Sequence, residues 1–439
     1  MPHMMHMIPS PGRLPDVIGL FRHNPPLPGK GDSDSIERLQ QLFCNREREM
    51  ERGRERLAKL LDHGPDASLW LIQGDSRIGK SHYARKLVLD VMTTRKPSGE
   101  RYFFIQANSS ISARRVLESI FLQLVDALQQ TGTVPEDLVR TWERMERPTS
   151  TSSVSVVVSD STPTKFGPEA NALAVKGGFG QDGTHSEGKT SAFTFGALHD
   201  MELIRAIAAG LDRLASLQPK RALLLIDDVD LIRSGGEGNR ARDEILKLLR
   251  DVLDLAQSKP IFLLTTRKLP KDREKEESVF VSLLPLRDVD LKAIYQRHIA
   301  YFLSGAEVFS AATLAWLIQH AAQRVGVFLH QCRALYDFAW YRDCQAPLGE
   351  EIRQEWLHHE WDELLSDEEA GAFARDVQAH VDAHSDTGAG RDGRAGKVVP
   401  LLSLDRAVED TALIHSWLRM RGDGRYEVAP ALIDFLRGR

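Results

Sequence analysis

Cysteine is scarce in this sequence, whose 439 residues include only Cys44, Cys332 and Cys344. Their positions show no paired spacing, which argues against a disulfide framework or a cysteine-based zinc site. A reducing, cytoplasmic environment is therefore expected. The sequence also has no apolar run long enough to span a bilayer, and residues 1–12 lack the apolar stretch of a signal peptide. We therefore expect no membrane among its partners.

A strong net charge is missing as well. Lysine and arginine number 57 against 62 aspartate and glutamate residues, which gives a formal net charge of −5. A nearly neutral chain has no overall field that would draw it onto nucleic acid or an anionic membrane. Core-forming residues, in contrast, are abundant, because 42% of the chain is hydrophobic and 27% is charged, close to the averages for soluble globular proteins. At this length we expect two or three structural units.

The order of apolar segments predicts an α/β core with a parallel sheet. Short, continuously apolar runs alternate with segments of helical periodicity, which is typical of strands that are buried on both faces and joined by helices. Five strands are predicted at residues 69–72, 102–105, 222–226, 261–265 and 280–284. Helices are predicted at residues 35–61 (one helix or two short ones), 80–92, 113–128, 201–217 and 242–255. The predicted fold is thus a five-stranded parallel sheet flanked by helices.

The composition also predicts where the domains begin and end. Residues 1–34 are interpreted as a flexible leader and residues 35–287 as the α/β core. A Ser-, Thr- and Gly-rich insertion interrupts the core at about residues 147–196, and it is either disordered or paired into a small hairpin. Residues 288–345 have helical periodicity throughout and predict a compact helical lid.

Residues 346–439 are interpreted as a C-terminal, winged-helix-like domain. It begins with a helical stretch at residues 350–384, which a flexible linker at about residues 385–396 follows. The remainder is predicted to be a helix, a turn at residues 421–424, a strand at residues 426–428 and a closing helix. A helix combined with a hairpin suggests a winged helix.

A phosphate-binding loop is the most specific motif in the sequence. The pattern G-x-x-x-x-G-K-[ST] is matched by Gly74-Asp75-Ser76-Arg77-Ile78-Gly79-Lys80-Ser81. This segment lies between a predicted strand and a predicted helix, so that backbone N–H groups and the helix N-terminus can surround phosphate. We expect Lys80 to bind the β and γ phosphates and the Ser81 hydroxyl to ligate Mg²⁺. The sequence therefore predicts a nucleotide site.

A second motif supplies two carboxylates. The apolar strand at residues 223–226 ends in Asp227 and Asp228, and open α/β sheets bind ligands at this end of their strands. We expect Asp227 to hold Mg²⁺ through its water shell and Asp228 to polarise the attacking water. The alternative is that both acids merely end a core strand. Because the sequence has no Asn-Lys-x-Asp motif to select guanine, the expected cofactors are ATP and Mg²⁺.

With both motifs in place, residues 43–341 resemble the AAA+ superfamily of P-loop ATPases, especially its STAND and origin-recognition-like branches. Residues 43–49 resemble the element that borders the adenine, with Asn45 where those proteins have glycine; the resemblance assigns Arg46 to the nucleotide. The end of the fourth strand, Leu263-Leu264-Thr265-Thr266-Arg267, is similar to the STAND sensor 1, which implies that Arg267 monitors the γ-phosphate. Residues 326–335 resemble sensor 2, and Arg333 is the matching arginine.

The resemblance implies a regulatory ATPase. In such a protein, ATP and ADP favour different arrangements of the lid, which would change self-association or the hold on a protein partner, as in bacterial signalling or antiviral defence. One alternative is a DNA-binding AAA+ ATPase of the origin-recognition or transposition type. Its duplex contacts would be arginines near the predicted wing, namely Arg419, Arg421, Arg425, Arg437 and Arg439. Another alternative is a nucleotide-bound scaffold with little turnover.

Overall fold

The computed structural model describes most of the core and the lid. The described residues are 14, 20–21, 39–63, 68–94, 102–106, 112–129, 134–146, 199–217, 222–229, 238–267, 278–366, 375, 398–399, 418–420, 426–428 and 435. The predicted insertion and the predicted linker at residues 385–396 lie outside these ranges, as does most of the predicted leader.

A parallel sheet forms the centre of the core. Its strands are β1 (Ser68–Gln73), β2 (Tyr102–Gln106), β3 (Leu223–Asp227), β4 (Ile261–Thr266) and β5 (Val279–Ser282). They lie in the order β2-β3-β4-β1-β5, and each neighbouring pair is parallel. The predicted α/β class is therefore confirmed. Because β4 lies between β1 and β3, the strand that precedes the phosphate loop and the strand that carries Asp227 are both next to the end of β4.

Helices cover both faces of this sheet, which is why its central strands are almost entirely apolar. The helices of the core are α1 (Glu47–His63), α2 (Lys80–Thr94), α3 (Ala113–Gln129), α4 (Glu136–Glu146), α5 (Asp200–Leu217) and α6 (Gly238–Leu255). On one face, Leu225 and Leu263 pack with side chains of α1 and α2. On the other face, Leu224 and Leu264 pack with side chains of α3, α5 and α6. The face on which α2 packs is the one that positions the nucleotide motifs.

Helix α4 was missed by the sequence prediction. Leu138 is buried in the core, and Trp142 and Met145 pack against the same cluster while remaining partly exposed. Their separation by four and then three residues is the spacing of one helical face. The signal was therefore present in the sequence, immediately before the predicted insertion.

The lid consists of helices with an apolar core of their own. The helices that contribute to it are α7 (Asp288–Leu303), α8 (Ala311–His320), α9 (Val325–Tyr341) and α10 (Glu350–Ser366). Trp356 and Leu357 of α10 are buried in the same cluster as Phe328 and Leu335 of α9. The predicted domain boundary at residue 345 thus falls inside a single apolar core.

Part of the predicted flexible leader is buried in this lid. Leu14, Leu20 and Phe21 belong to the lid core, and Leu20 and Phe21 are 0% exposed. The Phe21 ring stacks on Tyr295, His298 and Phe309 at centroid distances of 5.8, 5.6 and 5.6 Å. These contacts hold Phe21 in a defined position against the lid helices.

His298 is tied to the same segment, because the Phe21 N–H donates to His298 Nδ1 over 3.3 Å. Burial lowers the pKa of His298 from 6.5 to about 4, so the neutral ring is present in the folded protein at neutral pH. The unfolded chain takes up a proton between these two pH values and the folded chain does not. The folded state should therefore lose stability as the pH falls from 6.5 to about 4.

Truncating Phe21 tests this packing. We expect Phe21→Ala to lower the free energy of unfolding by up to about 3–5 kcal/mol, because it leaves an aromatic-lined cavity. The matched control is Tyr341→Ala, since Tyr341 is 78% exposed and its loss should change stability by no more than about 0.5 kcal/mol. Urea denaturation measures both variants. In parallel, NMR titration should find the pKa of His298 raised toward 6.5 in Phe21→Ala, and equal stability of the two variants would contradict the burial of Phe21.

A small antiparallel sheet follows the lid in sequence. Its strands are β6 (Val398–Val399), β7 (Leu418–Met420) and β8 (Tyr426–Val428), in the order β6-β8-β7. The predicted strand at residues 426–428 is present, but residues 418–420, which were predicted to be helical, form its antiparallel partner. The antiparallel pairing explains the difference, because the backbone of residues 418–420 finds hydrogen-bond partners in β8 instead of within a helix.

Along the described residues, no helix combines the length and the apolar character needed to cross a membrane.

Candidate nucleotide site

The phosphate loop is anchored on both sides by the sheet. It leaves β1 at Gln73, and the Gly74 N–H donates to the carbonyl oxygen of Thr266 at the end of β4 (3.2 Å). On the other side, the Leu283 N–H after β5 donates to the carbonyl oxygen of Gln73 (2.8 Å). Helix α2 begins at Lys80, so the loop connects a central strand directly to a helix N-terminus. This is the strand, loop and helix arrangement that the motif requires.

Two glycines of the loop have specific reasons to be glycine. A Cβ atom on Gly74 would lie 2.2 Å from Ile78 Cδ1 and 3.0 Å from the carbonyl oxygen of Leu283. Gly79 has a φ of +93°, a conformation that side chains disfavour. The loop therefore depends on both glycines for its path. Of the other loop residues, Asp75 is exposed, Ser76 and Arg77 are half-buried, and Ile78 is buried.

Lys80 is buried and folded onto its own loop. The side-chain ammonium donates to the carbonyl oxygens of Gly74 (3.1 Å) and Asp75 (3.0 Å). Its positive charge is thus held at the first residues of the phosphate loop, while its own backbone starts α2. An ammonium and a helix N-terminus at one loop favour the binding of a polyanion.

Arg46 braces this loop from the side of α1. It is 4% exposed, and its guanidinium donates to the carbonyl oxygens of Ile78 and Leu284, both at 2.9 Å. Burial lowers the pKa of Arg46, and the charge of Glu49 opposes that shift. The resemblance assigned Arg46 to the nucleotide. These contacts link the phosphate loop to the segment that leads from β5 into the lid, and a contact of Arg46 with nucleotide stays a prediction.

Asn45 lies where the resembled sequence element has glycine, and its backbone adopts a conformation that glycine favours. Its φ is +64°, in the left-handed region where asparagine is tolerated better than most residues. The Asn45 side-chain amide also donates to the carbonyl oxygen of Asp290 in α7 (2.8 Å). The loop before α1 therefore keeps a conformation suited to glycine and gains a direct bond to the lid.

The two acids after β3 are joined to β4 by one hydroxyl group. Asp227 is 1% exposed, and its Oδ1 accepts a hydrogen bond from Thr265 Oγ1 (2.5 Å). The same Thr265 oxygen accepts from the N–H of Asp228 (2.7 Å), whose φ is +53°. Thr265 is thus the polar residue of the predicted sensor 1 segment that the structure brings to the acid pair.

Arg85 is the site residue that sequence reasoning missed. It lies on α2, and its Nη2 is 3.2 Å from Asp227 Oδ2. Both side chains are at most 3% exposed. Burial lowers the pKa of Arg85, and the charge of Asp227 is the largest opposing influence. The sequence did contain a signal, because Arg85 interrupts an otherwise apolar helix face that includes Ala84 and Val88.

The predicted metal ligands are consistent with magnesium. Ser81 is the second residue of α2 and is half-buried, whereas Asp227 is buried at the end of β3. A hydroxyl and a carboxylate are hard oxygen donors of the kind that Mg²⁺ binds, often with retained water. The Asp227 carboxylate is also held in a fixed direction by Thr265 and Arg85. The residues present therefore fit a water-mediated Mg²⁺ site.

The two predicted sensor arginines differ in where they lie. Arg267 follows β4 directly and is half-buried, next to the strand end that carries Thr265. Arg333 forms an ion pair with Asp337 (2.7 Å) and donates to the carbonyl oxygen of Leu20 (3.3 Å). These contacts direct its guanidinium toward the leader segment. Sensing of the γ-phosphate stays a prediction for both arginines.

The lid touches the phosphate loop through a different residue. At the start of α9, the Gly326 N–H donates to the carbonyl oxygen of Arg77 (2.7 Å). A Cβ atom on Gly326 would lie 3.0 Å from that oxygen, and one on Gly79 would lie 3.1 Å from Val325 Cγ1. Arg77 itself has a φ of +64°. The lid helix therefore packs directly on two residues of the loop, at a distance that glycine permits.

Alanine at Gly326 should disturb this contact. We expect Gly326→Ala to cost about 1–3 kcal/mol of stability, because the new methyl group crowds the carbonyl of Arg77. It should also weaken nucleotide binding, since Arg77 belongs to the phosphate loop. Gly349→Ala is the control, because a Cβ atom there meets nothing within 4 Å and should cost less than about 1 kcal/mol. Urea denaturation and a nucleotide titration measure both effects, and matching results for the two variants would contradict the contact.

Several solved structures are similar to this chain at low sequence identity. The ORC1 protein of Aeropyrum pernix in complex with DNA is 15% identical, with 91% of this chain and 94% of that chain covered and a TM-score of 0.46. The ORC2 protein of Aeropyrum pernix, in ADPNP–ADP complexes, is 13% identical, with 90% and 94% covered and a TM-score of 0.43. Drosophila ORC bound to DNA is 14% identical, with 95% and 94% covered and a TM-score of 0.41. No protein-family model and no curated protein matches the sequence.

Proposed function

We propose that this chain is an AAA+-type ATPase that binds and hydrolyses ATP and uses the nucleotide to set the position of its helical lid. The observation that carries this proposal is the hydrogen bond from Gly326 of the lid to Arg77 of the phosphate loop (2.7 Å). A ligand that changes the loop must act on this bond, because it involves the loop's own backbone. Nucleotide binding and lid position are therefore coupled.

Binding of the triphosphate is the task of the loop. Its backbone N–H groups and the N-terminus of α2 would bind the phosphate oxygens, with Lys80 at the β and γ phosphates. Mg²⁺, when bound, neutralises charge between the β and γ phosphates. Ser81 would ligate the ion, and Asp227 would hold its water shell.

Hydrolysis is the task proposed for Asp228. Its carboxylate would orient and polarise the attacking water, and its position is fixed by the hydrogen bond from its N–H to Thr265 (2.7 Å). Arg267 lies one strand over, at the end of β4, and would stabilise charge on the transferred group. Arg333 of the lid would likewise stabilise charge on the transferred group. This role requires its ion pair with Asp337 to open.

The lid can report the nucleotide state because two contacts join it to the core near the loop. Gly326 bonds to the loop directly, and Arg46 bonds both to Ile78 of the loop and to Leu284 before the lid. A shift of the phosphate loop would thus reach both the start of α9 and the segment that enters α7. Two such contacts would allow the protein to act as a conformational or assembly switch. Its lid position would then control the formation of homo-oligomers or the binding of a protein partner.

The proposal is tested by measuring nucleotide binding and lid contact in the same protein. A fluorescent ATP analogue should bind the full-length chain in the presence of Mg²⁺, and phosphate should be released at a measurable rate. Hydrogen exchange at the Gly326 amide should differ between the ATP-bound and ADP-bound protein. Absence of binding would contradict the assignment as an ATPase, while binding with an unchanged Gly326 amide would contradict the switch.

Duplex DNA binding is the second candidate function. It is favoured by the antiparallel pairing of β7 with β8, because such a strand pair is one element of the winged helix that the sequence suggests. Arg419 lies on β7, opposite Glu427 of β8. If the hairpin binds duplex, affinity should fall steeply with added salt, because phosphate contacts release counterions. Salt-independent binding or none would leave the ATP-driven switch as the function, in the cytoplasmic setting proposed from the low cysteine content.

A further inference from the structure

Helix α2 carries a buried positive charge in addition to that of Lys80. Arg85 lies five residues after Lys80, and the residue is 2% exposed. Its neighbours Ala84 and Val88 are 0% exposed and pack in the apolar cluster under the sheet. Placing a guanidinium among such residues is unfavourable unless a specific partner offsets its loss of water. The position of Arg85 therefore indicates a specific task.

That partner is the carboxylate expected to hold Mg²⁺. Arg85 Nη2 lies 3.2 Å from Asp227 Oδ2, and the Thr265 hydroxyl donates to Asp227 Oδ1 over 2.5 Å. Two donors on two different oxygens prevent the carboxylate from rotating about its Cβ–Cγ bond. A carboxylate has roughly four lone-pair positions, so positions remain for hydrogen bonds from water. The hydrogen bonds from Arg85 and Thr265 therefore fix the directions of the remaining lone pairs of Asp227.

We propose that Arg85 is the positioning residue of the Mg²⁺ site, which orients the Asp227 carboxylate so that its remaining lone pairs receive metal-bound water. This inference rests on the proposed function, because it assumes that nucleotide binds with Mg²⁺. Arg85 acts through Asp227 and needs no contact with the nucleotide. Arg85 and Lys80 lie on the same helix. The orientation of Asp227 is therefore set by α2, the helix that begins at the end of the phosphate loop.

If Arg85 positions Asp227, only the part of the nucleotide affinity that depends on Mg²⁺ should depend on Arg85. Binding of ADP without a metal depends on the loop amides and Lys80, whereas Arg85 acts on the carboxylate of Asp227. The gain in affinity on adding Mg²⁺ depends on Asp227 and so on Arg85. Loss of a group that orients a metal ligand typically costs about 10–100-fold in metal affinity. The ratio of affinities with and without Mg²⁺ is thus the quantity that Arg85 should control.

The experiment measures this ratio in full-length variants with a fluorescent ADP analogue, first in EDTA and then in saturating Mg²⁺. For Arg85→Met we expect affinity in EDTA to stay unchanged, and the gain from Mg²⁺ to fall by about 10–100-fold. Arg85→Lys keeps a positive charge and should restore part of the gain. Lys86→Met is the matched control: the neighbouring side chain pairs with Asp90 and is 15% exposed, and its loss should leave the ratio as in the wild type.

Arg85→Met leaves a buried carboxylate without its ion pair, which is strongly destabilising. A second variant therefore tests the proposal in case Arg85→Met does not fold. Thr265→Val removes the other donor to Asp227 without removing a charge, and it should reduce the same ratio while circular dichroism reports a folded chain. An unchanged ratio in both variants would overturn the positioning role. An equal loss of affinity in EDTA and in Mg²⁺ would also overturn it, because Arg85 would then support only the loop. If the wild type binds nucleotide in neither condition, it is the proposed function that fails.

Discussion

Replacing Lys80 with alanine is expected to lower the affinity for ATP by at least about 100-fold, which corresponds to roughly 2.7 kcal/mol. Hydrogen bonds from a charged donor contribute about 1.5–3 kcal/mol each, and Lys80 is expected to make them to two phosphates. The side chain already lies at the loop, where its ammonium contacts the carbonyls of Gly74 and Asp75. Alanine is a good helix former, so α2 should still begin at the same residue.

A titration of the fluorescent ATP analogue measures this loss, and Lys86→Ala is its control. Lys86 lies on the same helix and forms its ion pair with Asp90 at 2.5 Å, so its removal changes the charge of α2 equally without touching the loop. We expect Lys86→Ala to bind ATP as the wild type does. If Lys80→Ala also retains wild-type affinity while folded, the phosphate loop is not the nucleotide site.

The second large effect is expected at Asp228, where asparagine should leave ATP binding intact and slow hydrolysis by about 10²–10⁴-fold. This is the usual contribution of a positioned acid or base. Asparagine has nearly the same shape as aspartate and tolerates the positive φ of this position. The backbone N–H that donates to Thr265 (2.7 Å) is also retained. The substitution therefore removes the negative charge and leaves the local backbone in place.

Single-turnover phosphate release separates this effect from binding. Asp254→Asn is a suitable control, because Asp254 is exposed near the end of α6 and its charge should not affect the rate. An unchanged rate in Asp228→Asn would show that another group orients the water. A loss of ATP affinity as large as that of Lys80→Ala would contradict the separation of binding and chemistry between the two motifs.

The sequence predicted where the two motifs lie relative to the sheet, because their placement depends on local pattern. The phosphate loop and the acid pair each follow a strand within a few residues, so an apolar run and a short motif were sufficient to locate both. The same holds for the parallel sheet, because continuously apolar strands between helices leave few other arrangements. Helix α4 was equally local, and the spacing of Leu138, Trp142 and Met145 would have found it.

Contacts between distant segments were not predictable in this way. Arg85 and Asp227 are 142 residues apart in sequence, and Arg46 and Leu284 are 238 apart. No periodicity links such positions, and although the apolar neighbours of Arg85 on α2 indicate that it is buried, they do not identify its partner. Gly326 was noticed only as part of a sensor motif, whereas its role at Arg77 depends on how closely two backbones approach.

The leader residues also determine which fragments of this protein can be handled in solution. A fragment that begins at the predicted core boundary, residue 35, would lack Leu20 and Phe21 and leave the rings of Tyr295, Phe309 and Tyr336 facing water. Uncovered aromatic surface of this kind promotes aggregation. A fragment for crystallisation or binding work should therefore start before Leu14, even though the nucleotide motifs lie much further along the chain.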